Sequence, residues 1–153
     1  MSASTFTYVI YIRTSVGKLW DALTLPEYTR AYWCETRQES DWKPGSAWKM
    51  VAPDRRVADS GEVLEFEKPR RLAVTWRHEI VQELKAEGYS KCVMELEPAA
   101  DAVKLTLTHS MDVPNSKFIS SISQGWPAIL SSLKSLLETG EALEITKHWP
   151  KEM

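Results

Sequence analysis

The feature that most constrains the fold is a change in the spacing of apolar residues near the end of the chain. Between about Thr36 and Met111, apolar and polar side chains alternate with a period of two, which is typical of strands with one buried face. After Asn115 the apolar residues follow the spacing of an amphipathic helix. A sheet with one apolar face and a long amphipathic helix must bury these surfaces against each other. About six twisted strands are therefore expected to curl around that helix.

The segment before the sheet predicts one further strand and two helices. Residues 6–12 alternate and are rich in β-branched and aromatic side chains, which favours a strand. Thr14 or Ser15 can cap the next helix, and Pro26 ends it and can open a second one. We therefore predict an α+β fold with an antiparallel curved sheet around one long C-terminal helix. Two short helices are expected after strand 1.

Length and composition fit a single domain. The chain has 153 residues, of which 43% are hydrophobic and 26% are charged. This is the size of one ordinary domain, and the composition is typical of a globular protein. We expect residues 1–153 to form one domain, with a core at about 5–140 and a loose tail at 141–153.

Charge and hydropathy argue against several classes of function. The net charge is −2 and basic residues are mixed with acidic ones, so no nucleic-acid partner is expected. No run approaches the ~18 apolar residues of a membrane span, and residues 1–7 lack the pattern of a signal peptide. Cys34 and Cys92 share no CxxC spacing and are expected to be reduced, buried hydrophobes. We predict a cytoplasmic location.

The tryptophans are candidates for the wall of a ligand pocket. The chain has seven of them, and several lie on strand faces predicted to point inward. Trp126 precedes Pro127, so a kink or restart of the last helix is expected there, with the indole turned toward the sheet. Either it lines a cavity or it plugs the core. The residues predicted to contact a ligand are Trp33, Trp48, Trp76, His78, Met94, His109, Trp126, Ile129 and Leu133.

Two histidines form the strongest polar constellation. His78 and His109 both lie on the inward faces of predicted strands, near the C-terminal ends of those strands. The meander places these strand ends at one edge of the sheet. They could be an acid–base pair at a polar end of the cavity, or hydrogen-bonded residues of the core or its rim. Two histidines on separate strands are too few for a metal site, so no metal and no cofactor are predicted.

Three segments resemble the START-like superfamily, also called SRPBCC, in its branch of activator of heat-shock-protein ATPase homologues. They are VGKLWDALTLPE at 16–27, GEVLE at 61–65 with LAVTW at 72–76, and GWPAILSSLKSLLETG at 125–140. The resemblance covers about 5–140. It implies a helix-grip fold with a deep cavity between the sheet and the last helix. Members are bacterial ligand-binding or stress-related proteins and, in other branches, polyketide cyclases or lipid carriers.

Three hypotheses follow, from different classes of function. The first is a binding protein for a small hydrophobic molecule, and it is favoured over an enzyme. The second is an enzyme of cyclase or hydratase type that uses His78 and His109 as general acid and base. The third is a protein-interaction module, either co-chaperone-like or a homodimer, for which exposed aromatic residues such as Trp42 and Trp149 would be available.

Overall fold

A seven-stranded antiparallel sheet forms the frame of the protein, in a computed structural model that describes residues 3–150. The strands are Ser4–Ile12 (β1), Arg37–Ser40 (β2), Ala47–Val51 (β3), Val57–Glu67 (β4), Arg71–His78 (β5), Ser90–Ala99 (β6) and Ala102–Met111 (β7). Their order in the sheet is β1-β7-β6-β5-β4-β3-β2. The strands from β2 to β7 therefore form a continuous meander, and β1 pairs with β7 at the far edge.

The helices lie where the sequence predicts them, with one short addition. They are Val16–Thr24 (α1), Pro26–Tyr32 (α2), Gln82–Lys85 (α3) and Lys117–Thr139 (α4), with a 3-10 helix at Glu144–Thr146. The side chain of Ser15 caps α1, and Pro26 opens α2. The predicted α+β, helix-grip architecture is confirmed. The short helix α3 between β5 and β6 was not predicted.

The inward faces of the central strands also match the predicted alternation. In β7, every second side chain is buried, and the same is true of the first part of β6. Helix α4 packs its apolar stripe against this face, where Phe118, Trp126, Leu130 and Leu133 are buried. Ser116 caps the start of α4 by accepting a hydrogen bond from the backbone N–H of Ile119 at 3.0 Å. The core therefore lies between the sheet and α4.

The predicted restart of the last helix at Trp126 and Pro127 is wrong, while the kink stays a prediction. Helix α4 continues as one element from Lys117 to Thr139, with Pro127 inside it and Trp126 in helical conformation. Proline removes one backbone hydrogen bond and costs a helix roughly 3 kcal/mol. The apolar stripe on both sides of Pro127 is buried against the same sheet, and this packing outweighs the local cost.

The segment after α4, residues 141–150, forms hydrogen bonds with the rest of the domain. It folds back onto the turn after α2, where the backbone N–H of Cys34 donates to the carbonyl of Thr146 at 2.8 Å. Thr146 itself is buried. The backbone N–H of Trp149 donates to a carboxylate oxygen of Glu35 at 3.1 Å. The predicted tail at 151–153 lies outside the described residues.

Candidate functional site: an aromatic pocket under the last helix

Four tryptophans meet between the sheet and the helices, and we call them the tryptophan cluster. Trp33 follows α2, Trp48 and Trp76 lie on β3 and β5, and Trp126 lies on α4. The ring centroid of Trp76 lies 4.5 Å from that of Trp48, 5.6 Å from Trp126 and 6.0 Å from Trp33. Those of Trp33 and Trp126 lie 5.1 Å apart. Each is a sequence-predicted site residue, and the fold brings all four together.

His109 is held in the core by a complete chain of hydrogen bonds. The indole Nε1–H of Trp126 donates to Nδ1 of His109 at 3.1 Å, so the imidazole proton must be on Nε2. That Nε2–H faces the hydroxyl of Ser90 at 2.7 Å, and the hydroxyl donates to the carbonyl of Trp76 at 2.8 Å. Both nitrogens of His109 and the hydroxyl of Ser90 therefore have hydrogen-bond partners. His109 is therefore a fully satisfied residue that links α4, β7, β6 and β5.

Burial keeps His109 neutral. Its side chain has no exposed surface, and removal from water lowers the pKa of the imidazole to about 3. A general acid or base for reactions near neutral pH needs a pKa close to that pH and contact with the substrate. The pKa of His109 is far below neutral. His109 also has no nitrogen free to contact a substrate, because both are hydrogen-bonded to protein groups.

His78 has a different environment. Its Nδ1 lies 3.2 Å from Oδ1 of Asp59, on the adjacent strand β4, and the same oxygen accepts a hydrogen bond from Nε1 of Trp76 at 2.9 Å. The register pairs Asp59 directly with His78 across the two strands. The other ring nitrogen, Nε2, is buried and has no hydrogen-bond partner within residues 3–150. A buried polar atom without a partner is unfavourable, so Nε2 is a candidate contact for a ligand.

A pocket of about 210 Å³ opens beside this group, and we call it the α4 pocket. Its wall combines members of the tryptophan cluster with apolar side chains of α3 and α4. The residues that line it are Trp33, Asp59, Trp76, His78, Leu84, Phe118, Ser121, Ile122, Gly125, Trp126 and Ile129. Apolar cavities of about 150 Å³ bind benzene, so this volume is sufficient for a molecule with one or two rings.

Five of the nine predicted contact residues line the α4 pocket: Trp33, Trp76, His78, Trp126 and Ile129. The other four (Trp48, Met94, His109 and Leu133) are buried in the core and do not line it. The pairing of His78 and His109 as two groups in one cavity is therefore wrong. The polar partner of His78 is Asp59, which the sequence reasoning missed.

The residues that the sequence did not predict were missed for three reasons. Asp59 becomes visible as a partner only once the register of β4 against β5 is known. Leu84 lies on the unpredicted helix α3. Ser121, Ile122 and Gly125 belong to the first half of α4, whose orientation the expected break at Pro127 obscured. An unbroken helical wheel through residues 117–139 would have placed Ile122, Trp126 and Ile129 on one side.

Within residues 3–150, no three side chains of His, Cys, Asp or Glu gather closely enough to hold a metal ion. In the same part of the chain, no helix is long and apolar enough to cross a membrane.

A curved antiparallel sheet that holds a long C-terminal helix, with a pocket between them, defines the helix-grip class of START-like proteins. The family model of the activator of Hsp90 ATPase homolog 1-like protein matches residues 13–138. The chain belongs to this family, as its sequence segments predicted. No match was found among curated proteins.

Solved structures agree on the fold. CalU16 from Micromonospora echinospora has 20% sequence identity and a TM-score of 0.71, over 90% of this chain and 78% of that one. The Aha1 dimer from Colwellia psychrerythraea has 19% identity and a TM-score of 0.73, over 91% and 99%. Protein MLL2253 from Mesorhizobium loti has 23% identity and a TM-score of 0.74, over 88% and 97%. At these identities the likeness concerns the fold alone.

Proposed function

We propose that this protein binds a small apolar molecule of one or two rings in the α4 pocket. The observation that carries the proposal is a pocket of about 210 Å³ with a wall of three indoles. Trp33, Trp76 and Trp126 offer ring faces and edges to a flat ligand, and aromatic contacts of this kind stabilise binding by about 0.5–1.5 kcal/mol each beyond area burial.

Helix α4 leaves room for the ligand at Gly125. This glycine lines the pocket, and a Cβ atom added to it would meet no heavy atom within 4 Å. A larger side chain at this position would therefore enter open space without displacing the core. The absence of a side chain here keeps the pocket accessible beside Ile122 and Ile129.

Binding explains the site better than the acid–base hypothesis does. That hypothesis needs two titrating imidazoles in one cavity, and His109 does not line the pocket and has its pKa lowered to about 3 by burial. His78 alone contacts the pocket, with Asp59 orienting its ring. We assign His78 to the wall of the pocket and not to an acid–base pair.

A protein-interaction role is the second candidate, and the description of the matched family favours it. If the chain acts on an Hsp90-type ATPase, adding it at micromolar concentration will raise the ATPase rate of that chaperone. Homodimerisation is a related proposal, because a structural relative from Colwellia psychrerythraea is described as a dimer. A stress-related role and a cytoplasmic location stay predictions.

Titration with toluene and naphthalene, followed by ligand-detected NMR, tests the binding proposal. The Gly125→Leu variant should fill the α4 pocket and weaken binding about tenfold or more, which corresponds to at least about 1.4 kcal/mol. Gly17→Leu is the matched control, because Gly17 is also a helical glycine with no heavy atom within 4 Å of an added Cβ, and it does not line the pocket.

Both variants should fold, since replacing a helical glycine usually stabilises the helix. Native mass spectrometry of the purified protein would identify any molecule retained from the cell. The proposal fails if toluene and naphthalene do not bind, or if the two variants bind them equally well.

A further inference from the structure

A second pocket shares part of its wall with the α4 pocket. It also measures about 210 Å³ and lies between the turn after α2 and the C-terminal segment, so we call it the tail pocket. It shares Trp33, Asp59 and His78 with the α4 pocket. Trp149 and Pro150 of the C-terminal segment complete its wall.

His78 and Trp149, which both line the tail pocket, each have one buried ring nitrogen without a partner among the described residues. Nε2 of His78 and Nε1 of Trp149 are both shielded from solvent, and neither has a hydrogen-bond partner in the described part of the chain. His78 is itself 8% exposed. Leaving a buried donor or acceptor unsatisfied is costly, and two such groups on residues that line one small pocket indicate a missing polar partner.

The chemistry of the two nitrogens limits that partner. Nδ1 of His78 faces the carboxylate of Asp59, which can only accept, so the ring proton is on Nδ1 and Nε2 accepts. The indole N–H of Trp149 can only donate. A hydroxyl group can donate to His78 and accept from Trp149. It also remains a suitable partner if the imidazole takes up a second proton, because it can then accept from Nε2.

The rest of the wall is apolar except for Asp59 and Thr36, and the hydroxyl of Thr36 donates to the carbonyl of Trp33. Met50 and Ala58 are buried side chains of β3 and β4. The thiol of Cys34 stays protonated, because burial and the nearby charge of Glu35 raise its pKa. A wall of this kind favours a ring or a short hydrocarbon around the hydroxyl group.

We propose that the tail pocket binds a small hydroxylated aromatic molecule of the phenol class, with its hydroxyl group between His78 and Trp149. The C-terminal segment is then part of the site rather than a tail, because it contributes the donor. This inference goes beyond the apolar ligand of the α4 pocket and does not require that pocket to be occupied.

Phenol and toluene are matched probes, because they differ by a hydroxyl in place of a methyl group. Wild-type protein should bind phenol about tenfold more tightly than toluene, as two net hydrogen bonds allow. In ¹⁵N-labelled protein, the indole N–H resonance of Trp149, assigned from its loss in the Trp149→Phe variant, should shift with phenol and not with toluene.

The Trp149→Phe variant should reduce the preference for phenol roughly three- to tenfold and leave the affinity for toluene unchanged. Trp42→Phe is the control, since Trp42 stacks on Phe66 and does not line the tail pocket. His78→Phe should reduce the same preference, after thermal melting confirms that it is folded.

Equal affinities for phenol and toluene, with the Trp149 resonance unmoved, would mean that water alone satisfies the two nitrogens, and this would overturn the proposal. So would a Trp149→Phe variant that retains the full preference for phenol, or one that loses affinity for both probes equally. The Gly125→Leu variant tests the α4 pocket separately: it should weaken the binding of toluene and leave the affinity for phenol unchanged, because Gly125 does not line the tail pocket.

Discussion

Mild acid should destabilise this protein through His109. Burial lowers the pKa of His109 to about 3 in the folded state, whereas an unfolded histidine titrates near 6.5. Between these values the unfolded state binds a proton that the folded state does not bind. The free energy of unfolding is therefore fully retained above pH 6.5 and falls as the pH is lowered toward 3.

The size of the effect follows from the width of the window. Each pH unit below 6.5 lowers the free energy of unfolding by about 1.4 kcal/mol, so the loss reaches about 3 kcal/mol at pH 4.5. This is a large part of the ~5–15 kcal/mol that stabilises an ordinary domain. At lower pH, the protonation of carboxylates destabilises the folded state further. Burial raises the pKa of Glu87, but hydrogen bonds from Ser116 and from the backbone at the start of α4 together outweigh it, so the net pKa is lowered.

The test compares wild type with His109→Gln in urea, with unfolding followed by tryptophan fluorescence from about pH 7.5 to 4.5. Glutamine can still accept from Trp126 and donate to Ser90, and it does not titrate. The variant should be about 1–3 kcal/mol less stable at neutral pH because its hydrogen bonds fit less well. Its deficit should disappear as the pH falls, because only the wild type loses stability through His109.

The difference between the two proteins cancels the titration of all other groups. Parallel curves, with a constant difference over the whole pH range, would refute the assignment of His109 as a buried neutral imidazole. Imidazole carbon shifts in NMR give an independent check, because His109 should keep the shifts of the neutral ring down to about pH 4.5.

Three further predictions concern stability and assembly. Gly61→Ala should lower the free energy of unfolding, measured in urea, by at least about 2 kcal/mol, because a Cβ at this position would lie 1.8 Å from the carbonyl oxygen of Thr75. An unchanged free energy of unfolding would contradict the close approach of β4 and β5. Ser90→Ala should cost about 1–3 kcal/mol by leaving Nε2–H of His109 unpaired, and a variant as stable as wild type would show that the hydrogen-bond chain is not needed. Light scattering after size exclusion should give a dimer mass at micromolar concentration, which Tyr11→Lys on the exposed face of the edge strand β1 should reduce; a monomer mass for wild type would end the homodimer hypothesis.

The periodicity of the sequence determined the architecture of this protein. Alternation between residues 36 and 111 specified the inward face of each central strand, and the helical stripe after Asn115 specified α4. Local signals also limited the cap of α1 to Thr14 or Ser15, of which Ser15 is the cap, and Pro26 located the start of α2. These features depend on neighbours within a few residues, so the sequence contains them directly.

The continuity of α4 was decided by packing. A proline after Trp126 indicates a break when the helix is considered alone, because the local hydrogen bond and the conformation of the preceding residue are both unfavourable. In the folded protein, the apolar stripe before and after Pro127 faces one sheet, and its burial outweighs that cost. The local cost of the proline can be estimated from the sequence, whereas the free energy gained by packing α4 against the sheet cannot.

Only the tertiary structure decided the roles of the two histidines. Both occupy inward positions near the same edge of the sheet, as their sequence positions predicted. His109 faces Trp126 and Ser90, which satisfy both of its nitrogens, while His78 faces Asp59 and keeps one nitrogen unpaired. Those partners lie 17 to 19 residues away in the chain. Alternation determines the face of the sheet on which a side chain lies, but the register between strands and the rotation of α4 determine which partner it meets there.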